Sequence, residues 1–302
     1  MPQSRSTKII INAHSGFSDK EDVRRQLSEV FSAGGVTADI SIAKNGAEVS
    51  KLARTAAGEN WGVIVAGGGD GTINAIASAV VGTEKTLGIL PLGTLNHFAR
   101  DLKIPNDLEA AAQTIISGRA INVDVGEVNG HIFLNNSSLG LYPIIVHERE
   151  KKQRLGSGKW PAFIWAAVAA LRRYPFLDIR LSADGQEFRR RTPFVFIGNN
   201  EYVMETFNIG LRDCLDRGQL SLYMTNRTGR WGLFRLALRA LLGRLREEKD
   251  FLAMCTKEVT IETRRKRLRV AFDGEVDLME VPLHYRVRPG ALRVMVPERK
   301  DK

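Results

Sequence analysis

Six consecutive residues, Gly67-Gly68-Gly69-Asp70-Gly71-Thr72, combine a nearly bare backbone with one carboxylate and one hydroxyl. Ahead of them Gly62 to Ala66 is an apolar, β-branched run that predicts a buried strand. Behind them Ile73, Ile76, Ala77 and Val80 recur at helix spacing within 72–81. A strand, a glycine turn and a helix together aim backbone N–H groups and the positive end of a helix at one point. That point suits a phosphate. The simpler reading is a tight turn with Asp70 as a helix cap. Two common nucleotide motifs are excluded: no Lys-Ser or Lys-Thr pair follows the glycines, and the third glycine of the dinucleotide fingerprint is missing. Far along the chain, Asp273-Gly274-Glu275 sets two carboxylates at a turn after the strand-like run 269–272. By itself Asp-Gly is only a hairpin signal.

The glycine run resembles the GGDGT loop shared by diacylglycerol-type lipid kinases, sphingosine kinases and NAD kinases. Pro91-Leu92-Gly93-Thr94-Leu95-Asn96-His97-Phe98-Ala99-Arg100 resembles the P-x-G-T-x-N-x-F-A-R segment of bacterial lipid kinases, where NAD kinases carry a different sequence. Asn12-Ala13-His14-Ser15-Gly16 is similar to the family's N-P-x-S-G, which lies against the nucleotide; alanine replaces the usual proline. Asp273-Gly274-Glu275 matches a D-G-E signature in which an acidic residue is assigned as proton acceptor. The resemblance therefore implies a lipid kinase that transfers the γ-phosphoryl group of ATP to a hydroxyl of a lipid such as diacylglycerol or a sphingoid base. It implies ATP contacts from Asn12, Ser15, Gly16, Gly67, Gly68, Gly69, Asp70, Gly71, Thr72, Asn74, Gly93, Thr94 and Asn96. With no Walker lysine, Mg²⁺ is the expected main cation, held by Asp70 directly or through water. Asp273 and Glu275 both stand as candidate bases. The chain departs from the family at Asn74-Ala75, where many members have Asn-Glu, and at Ala43, where many have a nucleotide-contacting threonine. Alternative readings are an NAD or small-polyol kinase, or a non-catalytic nucleotide- or lipid-binding regulator.

These residues need elements to position them. Residues 7–12 read as a first strand. Ser18 and Glu21 form a capping box for a helix with Val23, Leu27, Val30 and Phe31 on one face, closed by Gly34-Gly35. A strand over 36–42 follows, then a helix capped by Asn45 and Glu48, the glycine-loop unit, a strand over 86–90, and a helix started by Asn106 and Glu109. This alternation predicts a doubly wound parallel α/β nucleotide domain over 1–120. In such sheets ligands sit beyond the carboxyl ends of the strands, where Asn12, Gly67–Thr72 and Gly93–Asn96 all fall. After Gly118 short strands take over, at 121–128, 131–137, 177–183, 186–198, 219–225, 257–263, 267–272, 283–287 and 291–296. Turn signals such as Asn129-Gly130 separate several of them. They predict an antiparallel β-sandwich substrate domain over 121–302, with the resemblance suggesting that the last strand returns to the first domain. Two segments interrupt the strands: 149–173, a basic loop leading into a helix, and 229–248, an amphipathic helix that either covers a sheet or lies on a membrane surface.

Composition narrows the partners. Hydrophobic residues at 43% and charged residues at 26% fit a soluble globular chain. No run approaches the roughly 18 apolar residues of a membrane span, and MPQSRSTKIIINA is too short in apolar residues for a secretory signal. Two cysteines exclude a disulfide framework, so the expected location is the cytoplasm, with peripheral association at the inner face of the membrane. The net charge of +10 suits an anionic partner. No nucleic-acid motif is present, so a reversible electrostatic contact with an anionic membrane, carrying the lipid substrate, is expected. Oligomeric state is left open, with a homodimer among the readings. The five histidines are given no catalytic role. Several bacterial members of the family hold a structural Mg²⁺ at an Asp-Asp-Gly turn; the matching turn here is Leu215-Asp216-Arg217-Gly218. Arginine has no acceptor atom and stays charged, so no second metal is expected at 214–220.

Overall fold

The computed structural model describes residues 6–16, 20–140, 176–183, 185–202, 212, 214–225 and 251–298. Residues 149–173, the helix expected over 229–248 and the expected cap residue Ser18 lie outside the described residues. The chain divides into two compact units, Met1–Val125 with Pro289–Lys302, and Gly126–Arg288. The sequence reading placed the boundary at 120/121, inside what is a continuous strand, β5 (Arg119–Val128).

In the first unit, β1 (Thr7–Asn12), β2 (Ala38–Ala43), β3 (Val63–Gly68), β4 (Thr86–Pro91) and the far half of β16 (Leu283–Val296) form a parallel sheet in the order β2-β1-β3-β4-β16. The strands β3 and β4 are buried at every residue, as expected when helices cover both faces. On one face α1 (Lys20–Ala33) packs with α5 (Leu108–Ser117), and on the other α2 (Gly46–Gly58) packs with α3 (Asp70–Val80); the short α4 (His97–Asp101) precedes α5 in the chain. The helix α1 buries Val23, Leu27 and Phe31, spaced by four, and Gly35 takes φ +68 just beyond its end. At α2, Asn45 Oδ1 accepts the Glu48 N–H at 3.0 Å while Glu48 reaches back to the Lys44 N–H at 2.7 Å. The cap of α5 is Asp107, whose carboxylate accepts the Ala110 N–H at 2.9 Å. The expectation of Asn106 was one residue early, because the cap must reach the third helical amide.

The second unit is an antiparallel sandwich. One sheet runs β12 (Phe251–Thr256), β11 (Leu220–Thr225), β10 (Phe194–Asn199), β7 (Asn136–Gly140), β14 (Arg267–Phe272), β15 (Glu275–Glu280). The other joins the near half of β16 to β13 (Glu258–Thr263), β8 (Leu177–Ala183) and β9 (Gln186–Thr192). A short strand β6 (His131–Phe133) pairs with Gly126–Val128 of β5 through a two-residue turn, Asn129-Gly130, with φ +46 and +86. Leu139, Val195, Ile197 and Leu222 from one sheet and Ile179, Leu181, Val259 and Tyr285 from the other share one core. The Tyr285 hydroxyl is satisfied inside it, 3.1 Å from Ser137 Oγ.

Four differences from the sequence reading have local causes. The expected 186–198 strand is two strands, broken at Pro193. The 131–137 strand is likewise two, broken at Leu134-Asn135. Strands β12 and β15 were not expected: the first follows a helical pattern without a turn signal, and the second lacks clean alternation. Conversely, 283–287 and 291–296 are one strand despite Pro289-Gly290, because the Gly290 N–H turns to Asp124 Oδ1 at 2.9 Å where the strand passes from the second unit to the first.

Candidate functional site

The strand order of the first unit reverses between β1 and β3, which is the position where doubly wound sheets open a ligand crevice. Asn12 ends β1 and Gly68 ends β3, so both flank it. Asn12 Nδ2 donates across it to Thr72 Oγ1 at 3.1 Å, and Asn12 Oδ1 accepts the His14 N–H at 3.0 Å. Ser15 Oγ donates back to the Asn12 carbonyl at 2.6 Å. The Ala13 N–H donates to the Ala43 carbonyl at 2.8 Å, a bond that the proline usual in the family could not make.

Glycine is required here by close approach. A Cβ on Gly93 would lie 2.4 Å from Gly69 Cα, and one on Gly16 would lie 2.5 Å from the Leu92 carbonyl oxygen. Both obstacles are backbone and cannot yield. Three loops, 12–16, 67–72 and 91–96, are therefore in direct contact. Gly69 caps α3 with no side-chain hydrogen bond, leaving first-turn amides without intrahelical acceptors.

Asp70 does not cap its own helix. Among the described residues its Oδ1 receives one long bond, 3.4 Å, from the Phe98 N–H. A half-buried carboxylate so lightly held fits Mg²⁺, which takes one or two carboxylates and keeps waters and phosphate oxygens for the rest. Asn96 is buried and left-handed, φ +50. Its Oδ1 accepts the Gly93 N–H at 3.1 Å and its Nδ2 donates to the Pro91 and Gly93 carbonyls at 3.2 and 2.9 Å. Asn96 thus closes its own loop. Thr94 and Leu95 stand exposed at the tip, Leu95 at 61%. Asn74 is buried within α3, where its Oδ1 faces Ser78 Oγ at 3.4 Å.

The two acids sit in the second unit. Phe272 pairs with Glu275, leaving Asp273-Gly274 as a two-residue turn with φ +45 and +90. Both values are those of the hairpin turn that Asp-Gly favours. The Asp273 carboxylate accepts three backbone N–H groups: Leu134 at 2.6 Å, Asn135 at 2.9 Å and Asn136 at 3.1 Å. Burial pushes its pKa up to about 6, against the pull of those amides and of the Arg212 charge. The buried Arg212 donates to the Leu134 and Asn199 carbonyls at 2.6 and 3.0 Å and to Asn135 Oδ1 at 2.9 Å. Glu275 is exposed at the start of β15. Sequence reasoning missed the Leu134–Asn136 turn and Arg212. The adjacent asparagines were a signal; Arg212 carried none.

In the turn matched to the family's metal loop, Arg217 Nη1 lies 3.2 Å from Glu201 Oε2, and its backbone N–H donates to Asn200 Oδ1 at 3.1 Å. The basic residues of the second unit differ in their surroundings. Arg191 lies 3.6 Å from Asp178 and Arg267 3.0 Å from Glu280, whereas Arg264, Arg265 and Lys266 are exposed at a turn. Arg149–Lys159 and Arg172-Arg173 lie outside the described residues. Among the described residues no helix is long and apolar enough to cross a membrane.

Residues 6–128 match the diacylglycerol kinase catalytic domain, and residues 144–296 match the YegS C-terminal NAD kinase beta sandwich-like domain. Diacylglycerol kinases of Staphylococcus aureus strains bovine RF122 / ET3-1 and MRSA252 are each 31% identical over 200 residues, 64% of this chain. The match spans 62% of those relatives' length. A crystal structure of a diacylglycerol kinase from Bacillus anthracis str. Sterne has the same fold, with a TM-score of 0.72 at 20% identity over 98% of both chains. The two matches together take in residues 6–128 and 144–296, and the chain belongs to the diacylglycerol kinase-like lipid kinase family.

Proposed function

We propose that the protein is an ATP- and Mg²⁺-dependent kinase that phosphorylates a hydroxyl of a lipid such as diacylglycerol or a sphingoid base. The observation that carries this is the contact of three loops at the switch point of the first unit, held by the Asn12–Thr72 hydrogen bond and the Gly69–Gly93 approach. Phosphoryl transfer passes through a loose transition state, so alignment and charge neutralisation dominate. The uncapped amides of α3 hold phosphate oxygens. Ser15 and Gly16 shape one wall, and Asn96 fixes the loop that presents Thr94. Asp70 would hold Mg²⁺, which would supply charge neutralisation at the phosphates. Glu275, exposed, accepts the proton of the lipid hydroxyl; Asp273, already committed to three amides, positions the turn on which Glu275 stands. An anionic membrane surface supplies the lipid, and exposed basic residues make the contact reversible and salt-sensitive.

The test is ATP-dependent ³²P transfer into a total lipid extract, with the product identified by mass spectrometry. Label in a lipid supports the reading and names the acceptor. Label only in NADP would favour an NAD kinase, in keeping with the NAD kinase-like match of the sandwich, and saturable nucleotide binding without product would favour a regulator.

A further inference from the structure

Lys20 opens α1 and belongs to none of the motifs above. Its ammonium donates to the Ser15 carbonyl and lies 3.5 Å from Ser15 Oγ. Both partners are neutral, and no carboxylate among the described residues pairs with it. Burial lowers its pKa below the ordinary lysine value, with no neighbouring charge to raise it. A cation partly withdrawn from water without a counter-ion is costly, and an anion beside it would offset that cost. An ammonium has three donors, so Ser15 leaves capacity for an anion's oxygen.

The cation is tied to the candidate site. Ser15 bonds to the Asn12 carbonyl, Asn12 bonds to Thr72 in the first turn of α3, and Gly16 packs on the Leu92 carbonyl. The uncapped amides of α3 and a lysine with no counter-ion among the described residues are independent features that are linked through one loop cluster. We propose that Lys20 is the fixed cation for the polyphosphate of the nucleotide, supplying from α1 the charge that a glycine loop without a following lysine does not carry. This assignment rests on the nucleotide reading of the site.

The test compares the wild type with Lys20→Gln and Lys20→Arg. Calorimetry measures binding of ATP, ADP, adenosine and inorganic tripolyphosphate, and melting curves check the fold. A hydrogen bond to a charged group is worth about tenfold to a hundredfold in affinity. Lys20→Gln should weaken ATP, ADP and tripolyphosphate by that factor and leave adenosine within about twofold. Lys20→Arg should stay within about fivefold of the wild type for ATP, since the charge remains. ATP binding unchanged in Lys20→Gln overturns the proposal. So does an equal loss for adenosine, or a loss in Lys20→Arg as large as in Lys20→Gln. Sedimentation on phosphatidylglycerol vesicles should not change; a loss there with ATP binding intact would assign the lysine to a lipid phosphate instead and overturn it. The wild-type arm reports on the site itself: a wild type that binds neither ATP nor tripolyphosphate sinks the nucleotide reading, whereas a binding wild type with indifferent variants sinks only the role of Lys20.

Discussion

Asp273→Asn separates the shaping of the acid turn from its chemistry. Asparagine tolerates the left-handed backbone at this position, so the hairpin itself should survive. Its single carbonyl oxygen can serve Asn135 and Asn136, which now share Oδ1 at 2.9 and 3.1 Å. Its NH₂ group replaces Oδ2 and faces the Leu134 N–H, which now lies 2.6 Å from that oxygen. Donor then meets donor at a residue only 1% exposed. A buried N–H left without an acceptor costs about 1–3 kcal/mol. Hydrogen exchange reads local opening of this kind directly. The Leu134 amide should therefore lose protection by about 5- to 150-fold, while Asn135 and Asn136 change less. Protection at Leu134 within about twofold of the wild type would refute the claim that this carboxylate holds the turn.

Four further outcomes are expected. Because burial raises Asp273 from 3.8 to about 6, its protonated form is favoured by folding: the associated stability is complete below about pH 4 and is lost as pH rises through about 6. The unfolding midpoint of the wild type should thus fall relative to Asp273→Asn across that window, and a rise would mean that the amides and Arg212 outweigh burial. Asp70→Asn should abolish transfer with little loss of stability, since the carboxylate makes one long hydrogen bond; near-normal activity with Mg²⁺ would reduce Asp70 to a surface residue. Glu275→Gln should lower turnover by about 10²- to 10⁴-fold with ATP binding intact, and unchanged turnover would remove Glu275 from the chemistry. Replacing Arg264, Arg265 and Lys266 with serine should weaken sedimentation with anionic vesicles at low salt, at about 1 kcal/mol for each charge near the surface; equal sedimentation of wild type and variant would count against a membrane role for this turn.

The first unit was largely legible in the sequence because its signals are local. The apolar runs of β1, β3 and β4, the Asn45 cap and the glycine loop each announce themselves within a few residues. The site was legible as a set of loops, but the work done by single side chains was not. Asn96 reads as a ligand-binding amide, and the structure adds that its side chain bonds within its own loop to Pro91 and Gly93. Asp273 reads as a candidate base, and the structure adds that its carboxylate accepts three amides far away in sequence. Those partners depend on which strands become neighbours, and β7 beside β14 is a tertiary fact. Lys20 escaped for the same reason: its interest lies in having no carboxylate partner among the described residues, which spacing cannot reveal.

The last strand has a consequence for how the chain acquires its structure. Arg293 and Val294 lie beside Thr86 and Leu87, so the sheet that carries the glycine loop is completed by residues made about two hundred positions after β4. During synthesis β1 to β4 emerge early and must wait for β16 with one margin open. A waiting parallel sheet of this kind offers unpaired amides and carbonyls to other chains. Slow translation through the second unit would lengthen that exposure. Yield in the cell should therefore depend on chaperone supply more than the burial of the finished protein would suggest, and shortening the chain before Val294 should leave the early strands prone to aggregate although every loop of the candidate nucleotide site is still encoded.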